Sequence, residues 1–207
     1  TSAKESVDII QYLQTRGVKV IGETCPHYLF LTRDASAGPL AKVNPPIRLE
    51  ADSSRLWQGL KGGTITTIGT DHCPNQRAAK EGEFWEATSG FGSIGATLAL
   101  LVSEGVNKGK ISWELLAKIT SENVARAFGI YPQKGVLCPG ADADIVIVDP
   151  HQEWTLTAEA LHSICDYSIY EGMKLKGRAV KTYVRGQLVA DNGHPVKSPP
   201  WGTYVYC

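Results

Sequence analysis

The 207-residue sequence has no block of like charge and no long apolar run. Basic residues number 21 and acidic residues also number 21. A balanced charge without a basic cluster argues against nucleic acid or an anionic membrane surface as a partner. No apolar run approaches the ~18 residues that a membrane-spanning helix needs. The sequence therefore gives no reason to expect a nucleic-acid-binding protein or a membrane protein.

We also expect neither a secretory signal nor a disulfide framework. No basic segment followed by an apolar stretch opens the chain, although Thr1 is not an initiator methionine. The five cysteines are odd in number and irregularly spaced, so we expect free thiols and a cytoplasmic location. A hydrophobic content of 43% is typical of a globular core, and the length suits one domain or slightly more.

A β-branched run at residues 64–69 leads into a carboxylate, an imidazole and a thiol, which are Asp71, His72 and Cys73. The run predicts a buried strand. A carboxylate at the end of such a strand is costly to bury unless a charged group meets it. In α/β proteins, ligands and metals bind at the carboxyl ends of parallel strands. Asp71 is therefore a candidate metal ligand or proton acceptor, and the alternative is that it caps the following turn.

A second stretch repeats this pattern. Residues 18–23 predict a buried strand, and Cys25, Pro26 and His27 follow it. Two strand ends built alike favour a common site. Between them, residues 44–48 read Asn-Pro-Pro-Ile-Arg, and the double proline excludes a helix and stiffens this loop.

Together these motifs resemble a known family. Glu-Thr-Cys-Pro-His-Tyr-Leu at residues 23–29, Asn-Pro-Pro-Ile-Arg at 44–48 and Gly-Thr-Asp-His-Cys-Pro at 69–74 occur in this order. Lys134-Gly135 and then Pro-Gly-Ala-Asp-Ala-Asp-Ile-Val at 139–146 follow. The ordered set resembles the cyclic amidohydrolases, which include hydantoinase, dihydropyrimidinase, allantoinase and dihydroorotase.

The resemblance implies an α/β fold. Residues 1–133 would form the C-terminal part of a (β/α)8 TIM-like barrel, with its last two strands and helices. Residues 134–207 would form part of a small β-sandwich with an extended tail. The chain would begin just past the histidine that ends the sixth barrel strand, so the remaining metal ligands would lie outside it. The Pro-rich aromatic tail at 195–207 suggests a homo-oligomer, either a dimer or a tetramer.

The resemblance also implies a reaction, the metal-dependent hydrolysis of a cyclic amide C–N bond in a hydantoin or dihydropyrimidine ring. Asp71 would ligate one divalent metal of a pair, with zinc as the expected metal, and would accept the proton of the attacking water. The backbone at Asn44 and near Gly92 would bind the amide edge of the substrate ring. Hydantoinases often have Asn near the second position, where this sequence reads Gly-Phe-Gly-Ser.

Several alternatives stay open at this point. The run at residues 166–173 is typical of hydantoinase or dihydropyrimidinase. Asn75 occupies the position of a substrate-binding histidine in dihydroorotase, which argues against that enzyme, and allantoinase remains an alternative. A different class of function is a non-catalytic, dihydropyrimidinase-like assembly protein. The chain as given is also expected to be inactive alone.

The remaining residues have simpler interpretations. Helices are expected at residues 2–16, 53–60, 96–107 and 112–128, a strand at 144–148 and a hairpin at 180–189. The polar loop at 75–89 is either solvated or a mobile cover over the site. Cys25 and Cys73 are expected to be small buried packing residues. We expect His27 to support a neighbouring ligand or loop, His72 to contact a loop, and Asp142 and Asp144 to stabilise a turn.

Overall fold

The computed structural model describes residues 1–34, 37–196, 200 and 202–206. The helices are α1 (Lys4–Thr15), α2 (Pro26–Phe30), α3 (Glu50–Lys61), α4 (Ile94–Leu100), α5 (Trp113–Ala117) and α6 (Asn123–Ala127). The strands are β1 (Gly22–Thr24), β2 (Ile65–Ile68), β3 (Ile145–Thr155), β4 (Lys174–Val184), β5 (Gln187–Asp191) and β6 (His194–Pro195). Three short 3₁₀ turns lie at Gly38–Ala41, Arg77–Lys80 and Glu159–Leu161. The fold is therefore mixed α/β.

Strands β1 and β2 form a two-stranded parallel sheet, so both strands end at the same edge. Helix α3 packs between α1 and β2, and Gly59 allows the close approach. A Cβ at Gly59 would lie 3.0 Å from Val7 and 3.1 Å from Ile65. At the opposite end of the sheet, the Gln14 amide donates to the carbonyl oxygens of Val20 and Thr64. Helix α1 therefore holds the starts of both strands together.

The strand predicted at residues 18–23 is wrong in its extent. Only Gly22–Thr24 forms a strand, and the side chains of Val18 and Ile21 are 47% and 58% exposed. These two apolar residues are only about half covered by the described part of the chain, whereas Ile65 and Ile68 of β2 are buried. Apolar composition alone therefore overestimated the length of β1.

The helices after residue 93 match the predicted positions but contain π-helical turns. Helix α4 continues as a π-helical segment at Leu101–Val106, and a second one at Lys118–Glu122 joins α5 to α6. The Ser112 hydroxyl accepts a hydrogen bond from the Leu115 N–H and caps α5. Leu101 and Ile119 pack into the same buried core as α3 and β2.

The last third of the chain contains a four-stranded antiparallel sheet in the order β3-β4-β5-β6. Val184 pairs with Gln187 across a two-residue turn, and both turn residues, Arg185 and Gly186, have positive φ. This is the backbone of a type I′ turn, which matches the right-handed twist of the paired strands. The predicted hairpin around Gly186 is confirmed.

Asp142 and Asp144 pair with Lys134 instead of capping only their own turn. The Lys134 ammonium lies 2.9 Å from the Asp142 carboxylate and 2.5 Å from that of Asp144. Asp144 also accepts a hydrogen bond from the Arg185 N–H. The Lys134 side chain and the turn at Asp142 and Asp144 therefore stabilise the end of the sheet where β3 begins and β4 ends.

One buried cluster joins α4 to the antiparallel sheet. Ala96 and Leu100 of α4 pack against Leu156, Tyr170 and Leu175. The division into residues 1–133 and 134–207 stays a prediction, although the two segments share this cluster. In the described part of the chain, no helix combines the length and apolarity that crossing a membrane requires.

Candidate functional site

Asp71 lies at the carboxyl edge of the β1–β2 sheet. The Gly69 N–H donates to the Thr24 carbonyl oxygen over 2.9 Å, so the two strand ends stay paired up to this point. Asp71 then adopts a left-handed backbone with φ of 48°, a conformation that Asp and Asn tolerate better than most residues. Its side chain is 43% exposed. The turn thus directs a carboxylate toward solvent at the edge where the sequence predicted a site.

Asn44 lies on a loop that contacts the segment after β2. Its side-chain amide donates to the Ser89 hydroxyl over 3.1 Å. Two residues earlier, the Lys42 carbonyl oxygen accepts hydrogen bonds from the Gly90 N–H and from the Lys80 ammonium. Sequence reasoning singled out Asn44 and missed Ser89, which immediately precedes the Gly-Phe-Gly run.

Lys80 corrects the expectation for the loop at residues 75–89. Its side chain is 1% exposed, and its ammonium donates to the Lys42 carbonyl oxygen over 3.0 Å. Burial lowers the pKa of Lys80 below its ordinary value. Most of the loop is exposed, but this lysine anchors it to the segment that holds Asn44.

His72 points away from Asp71 and caps helix α4. Its Nδ1 accepts hydrogen bonds from the backbone N–H groups of Ser93 and Ile94, at 3.0 and 3.2 Å. An acceptor at this position satisfies two donors that a helix N-terminus leaves without intrahelical partners. The prediction that His72 contacts a neighbouring loop is confirmed, and the contact attaches α4 to the Asp71 turn.

Gly92 is buried. A Cβ at Gly92 would lie 2.8 Å from the Cys165 sulfur and 3.3 Å from the Ser163 hydroxyl. The lack of a side chain is therefore a packing requirement. Its assignment to substrate binding concerns the backbone and stays a prediction.

His27 is fully buried next to Asp71. Its Nε2 lies 3.9 Å from the Asp71 Oδ2, and its ring stacks edge-on against Tyr28 and Phe91. Burial lowers the pKa of His27 to about 4, so the imidazole is neutral at pH 7. The structure thus places a neutral ring, rather than a positive charge, beside the carboxylate.

Comparison with known proteins identifies the family. The model of the amidohydrolase family matches residues 4–189. The chain belongs to the amidohydrolase family.

Individual relatives support this membership. The chain is 36% identical to a D-hydantoinase of Geobacillus stearothermophilus, over 99% of this chain and 45% of the relative. It is 37% identical to an L-hydantoinase of Paenarthrobacter aurescens, over 99% of this chain and 46% of the relative. The chain therefore spans about half the length of the curated relatives it matches.

Solved structures of hydantoinases also superpose closely on this fold. A crystal structure of a D-hydantoinase superposes with a TM-score of 0.93 at 34% identity, over 99% of this chain and 46% of that one. The L-hydantoinase (dihydropyrimidinase) from Arthrobacter aurescens superposes with a TM-score of 0.92 at 37% identity, over 95% of this chain and 45% of that one. The fold described above is thus part of a larger amidohydrolase fold.

The two cysteines near Asp71 differ in their burial. Cys25 is buried, and burial raises the pKa of its thiol to about 12, so it is not a thiolate at neutral pH. This agrees with a packing role. Cys73 is exposed, so the expectation that it is buried is wrong, because the turn that orients Asp71 also brings Cys73 to the surface.

The described residues fit only part of a metal site. They contain no group of three or more His, Cys, Asp and Glu side chains arranged to hold a metal ion. A divalent cation in an amidohydrolase site needs several such ligands. The half-exposed Asp71 carboxylate has the chemistry and the accessibility to provide one of them.

The histidines of the β-rich segment lie elsewhere. His151, His162 and His194 are exposed. None of them approaches the Asp71 turn closely enough to pair with its carboxylate, within the portion of the chain that the structure describes.

Proposed function

We propose that this chain is part of a cyclic amidohydrolase that hydrolyses an amide C–N bond in a hydantoin or dihydropyrimidine ring. Family membership and the hydantoinases at 36% and 37% identity support this reaction class. The D- and L-hydantoinases match equally well, so overall similarity does not select one enantiomer. The single observation that carries the proposal is the Asp71 carboxylate, presented at the carboxyl edge of two parallel strands.

Asp71 has two roles in this proposal. It contributes one ligand to a divalent metal, with zinc as the expected ion and a second ion beside it. When bound, such a cation lowers the pKa of a water molecule and polarises the substrate carbonyl. The Asp71 carboxylate accepts the proton of the attacking water and later delivers it to the leaving ring nitrogen. Its 43% exposure leaves room for both transfers.

Asn44 and Gly92 bind the amide edge of the ring through their backbone groups. The hydrogen bond from Asn44 to Ser89 supports this, because it brings the loop before β2 and the segment after it together near the Asp71 turn. A ring amide has one donor and one acceptor side by side, and backbone groups on two facing segments can pair with both.

Asn75 disfavours dihydroorotase. Its side-chain amide donates to the carbonyl oxygens of Cys73, Ser89 and Gly90, so it stabilises the loop from within. Binding a substrate carboxylate at this position requires a positively charged or freely donating side chain, and the Asn75 donors already have partners.

The similarity to hydantoinases of about twice this length supports a proposal for the architecture of the whole protein. We assign β1 and β2 to the last two strands of a (β/α)8 barrel within residues 1–133, and residues 134–207 to a β-sandwich with a C-terminal tail. The tail is a candidate oligomer contact, for a dimer or a tetramer, although residues 197–199, 201 and 207 lie outside those described. We also propose a cytoplasmic location.

A chimera tests the activity. The chain replaces the matching segment of the Geobacillus stearothermophilus D-hydantoinase, and ring opening of hydantoin is measured with added zinc. We expect turnover, and we expect Asp71→Asn to lower it by about 10²–10⁴-fold, the usual contribution of a general base. Asn192→Gly is the matched control, since Asn192 has the same φ of 48° but lies in the turn after β5. A folded chimera in which Asp71→Asn retains full activity contradicts the proposal.

The isolated chain gives a complementary test. With one candidate ligand among its described residues, it should bind zinc poorly and show no hydantoin turnover. Measurable activity from the chain alone would contradict the assignment of the remaining ligands to the rest of the protein. A folded but inactive chimera would instead favour the assembly-protein alternative.

A further inference from the structure

His27 is a fully buried polar side chain with no hydrogen-bond partner. Its relative exposure is 0%, and neither ring nitrogen is paired within the described part of the chain. A neutral imidazole always has one N–H donor. Leaving such a donor buried and unpaired is energetically unfavourable. The position of this ring therefore requires an explanation beyond packing.

The aromatic neighbours fix the orientation of the His27 ring. Tyr28 lies edge-on with its ring centroid 4.0 Å away, and Phe91 lies edge-on at 5.1 Å. The Tyr28 hydroxyl donates to the Pro45 carbonyl oxygen, which keeps Tyr28 in place. Phe91 is itself buried. The imidazole consequently has little freedom to turn toward another acceptor.

Asp71 is the acceptor within reach. Its Oδ2 lies 3.9 Å from the His27 Nε2, about 1 Å beyond a normal hydrogen bond. The Asp71 side chain is 43% exposed, so the carboxylate can rotate while the ring stays in place. A modest rotation of the Asp71 side chain closes the gap.

We propose that His27 is a positioning residue for Asp71, whose Oδ2 accepts a hydrogen bond from the His27 Nε2–H. The bond fixes the carboxylate plane and leaves Oδ1 available for the reaction, a consequence that rests on the proposed function. The parallel pairing of β1 and β2 explains how residues 44 positions apart in sequence meet at one edge.

The test reads the His27 ring directly, in the 207-residue chain, by NMR of its ring N–H proton. We expect a slowly exchanging resonance, shifted downfield by the carboxylate. Asp71→Gly removes the acceptor and suits the positive φ, so the resonance should move upfield. Asp71→Asn keeps a neutral acceptor and should give an intermediate shift. Asn192→Gly is again the matched control and should leave the resonance unchanged.

The reverse experiment reads Asp71 through the ¹³C resonance of its carboxylate. His27→Gln retains an N–H donor and should preserve the shift, whereas His27→Leu has no donor and should change it. Equal ring N–H shifts in the parent chain and in Asp71→Gly would overturn the proposal, and so would a ring proton in rapid exchange with water. Because neither readout uses activity, a failure here is distinguishable from a failure of the proposed hydrolysis.

Discussion

Replacing Tyr170 with phenylalanine should stabilise the protein. Tyr170 is 1% exposed and packs between Leu100 of α4 and Leu175 of β4. Its hydroxyl has no hydrogen-bond partner among the described residues. The substitution Tyr170→Phe keeps the ring and removes only this oxygen.

At neutral pH, the size of the expected change in the free energy of unfolding follows from the unpaired Tyr170 hydroxyl. An unsatisfied buried polar group costs about 1–3 kcal/mol, and removing the oxygen leaves a small void that offsets part of the gain. We therefore expect the free energy of unfolding to rise by about 1 kcal/mol. For a chain of this size, that corresponds to an increase in melting temperature of about 2–4 °C.

Alkaline pH should enlarge the difference in stability between the parent chain and Tyr170→Phe. Burial raises the pKa of Tyr170 far above its ordinary value, so above pH 10 the unfolded chain loses this proton while the folded chain keeps it. The folded state then binds more protons, and stability falls as the pH rises. At pH 11 this group alone costs the parent about 1.4 kcal/mol, a loss that Tyr170→Phe avoids.

Urea unfolding at pH 7 and pH 11 measures both effects. The control is Tyr12→Phe, since Tyr12 is 59% exposed and should change neither value appreciably. A loss of about 1 kcal/mol or more in Tyr170→Phe at pH 7 would refute the reasoning, because it would mean that the hydroxyl forms a stabilising hydrogen bond. If the parent and Tyr170→Phe lose the same free energy of unfolding between pH 7 and pH 11, the argument from tyrosine ionisation is refuted.

Three further substitutions test how the fold supports the site. Gly177→Ala should destabilise by more than about 1 kcal/mol, because φ is +112° and its Cβ would lie 2.3 Å from Val102; thermal melting shows this. Ser112→Ala should cost about 1 kcal/mol in urea unfolding by removing the cap of α5, and Ser112→Asp should restore it. His72→Leu should cost about 1–2 kcal/mol in the same assay by leaving two backbone donors of α4 unpaired, and His72→Asn should recover part of this. A stability of His72→Leu equal to that of the parent would contradict the capping role.

The sequence predicted the elements that local patterns specify. The helix at α1, the strand at β2 and the hairpin at Gly186 each depend on residues close in sequence, and all are present. The position of Asp71 at a strand end was predictable for the same reason. Parallel pairing of β1 with β2 then places the two similar motifs at one edge.

Features that depend on distant segments were not predictable in this way. The burial of His27 depends on Phe91, and the burial of Lys80 depends on the loop that contains Lys42. Lys80 lies in a polar loop and His27 at the start of an apolar run, and neither local pattern shows which distant segment will cover the side chain. Conversely, Val18 and Ile21 suggested a longer strand, but the described chain covers only about half of each residue.

The turn after β2 assigns opposite tasks to two adjacent residues. The Asp71 carboxylate is partly exposed to solvent, while the His72 imidazole accepts hydrogen bonds at the N-terminus of α4. The same helix is embedded through Leu100 in the cluster beneath the antiparallel sheet. Helix α4 therefore contacts both the Asp71 turn and the core of that sheet. We therefore expect substitutions in this buried cluster to change the position of the Asp71 turn as well as the stability of the sheet.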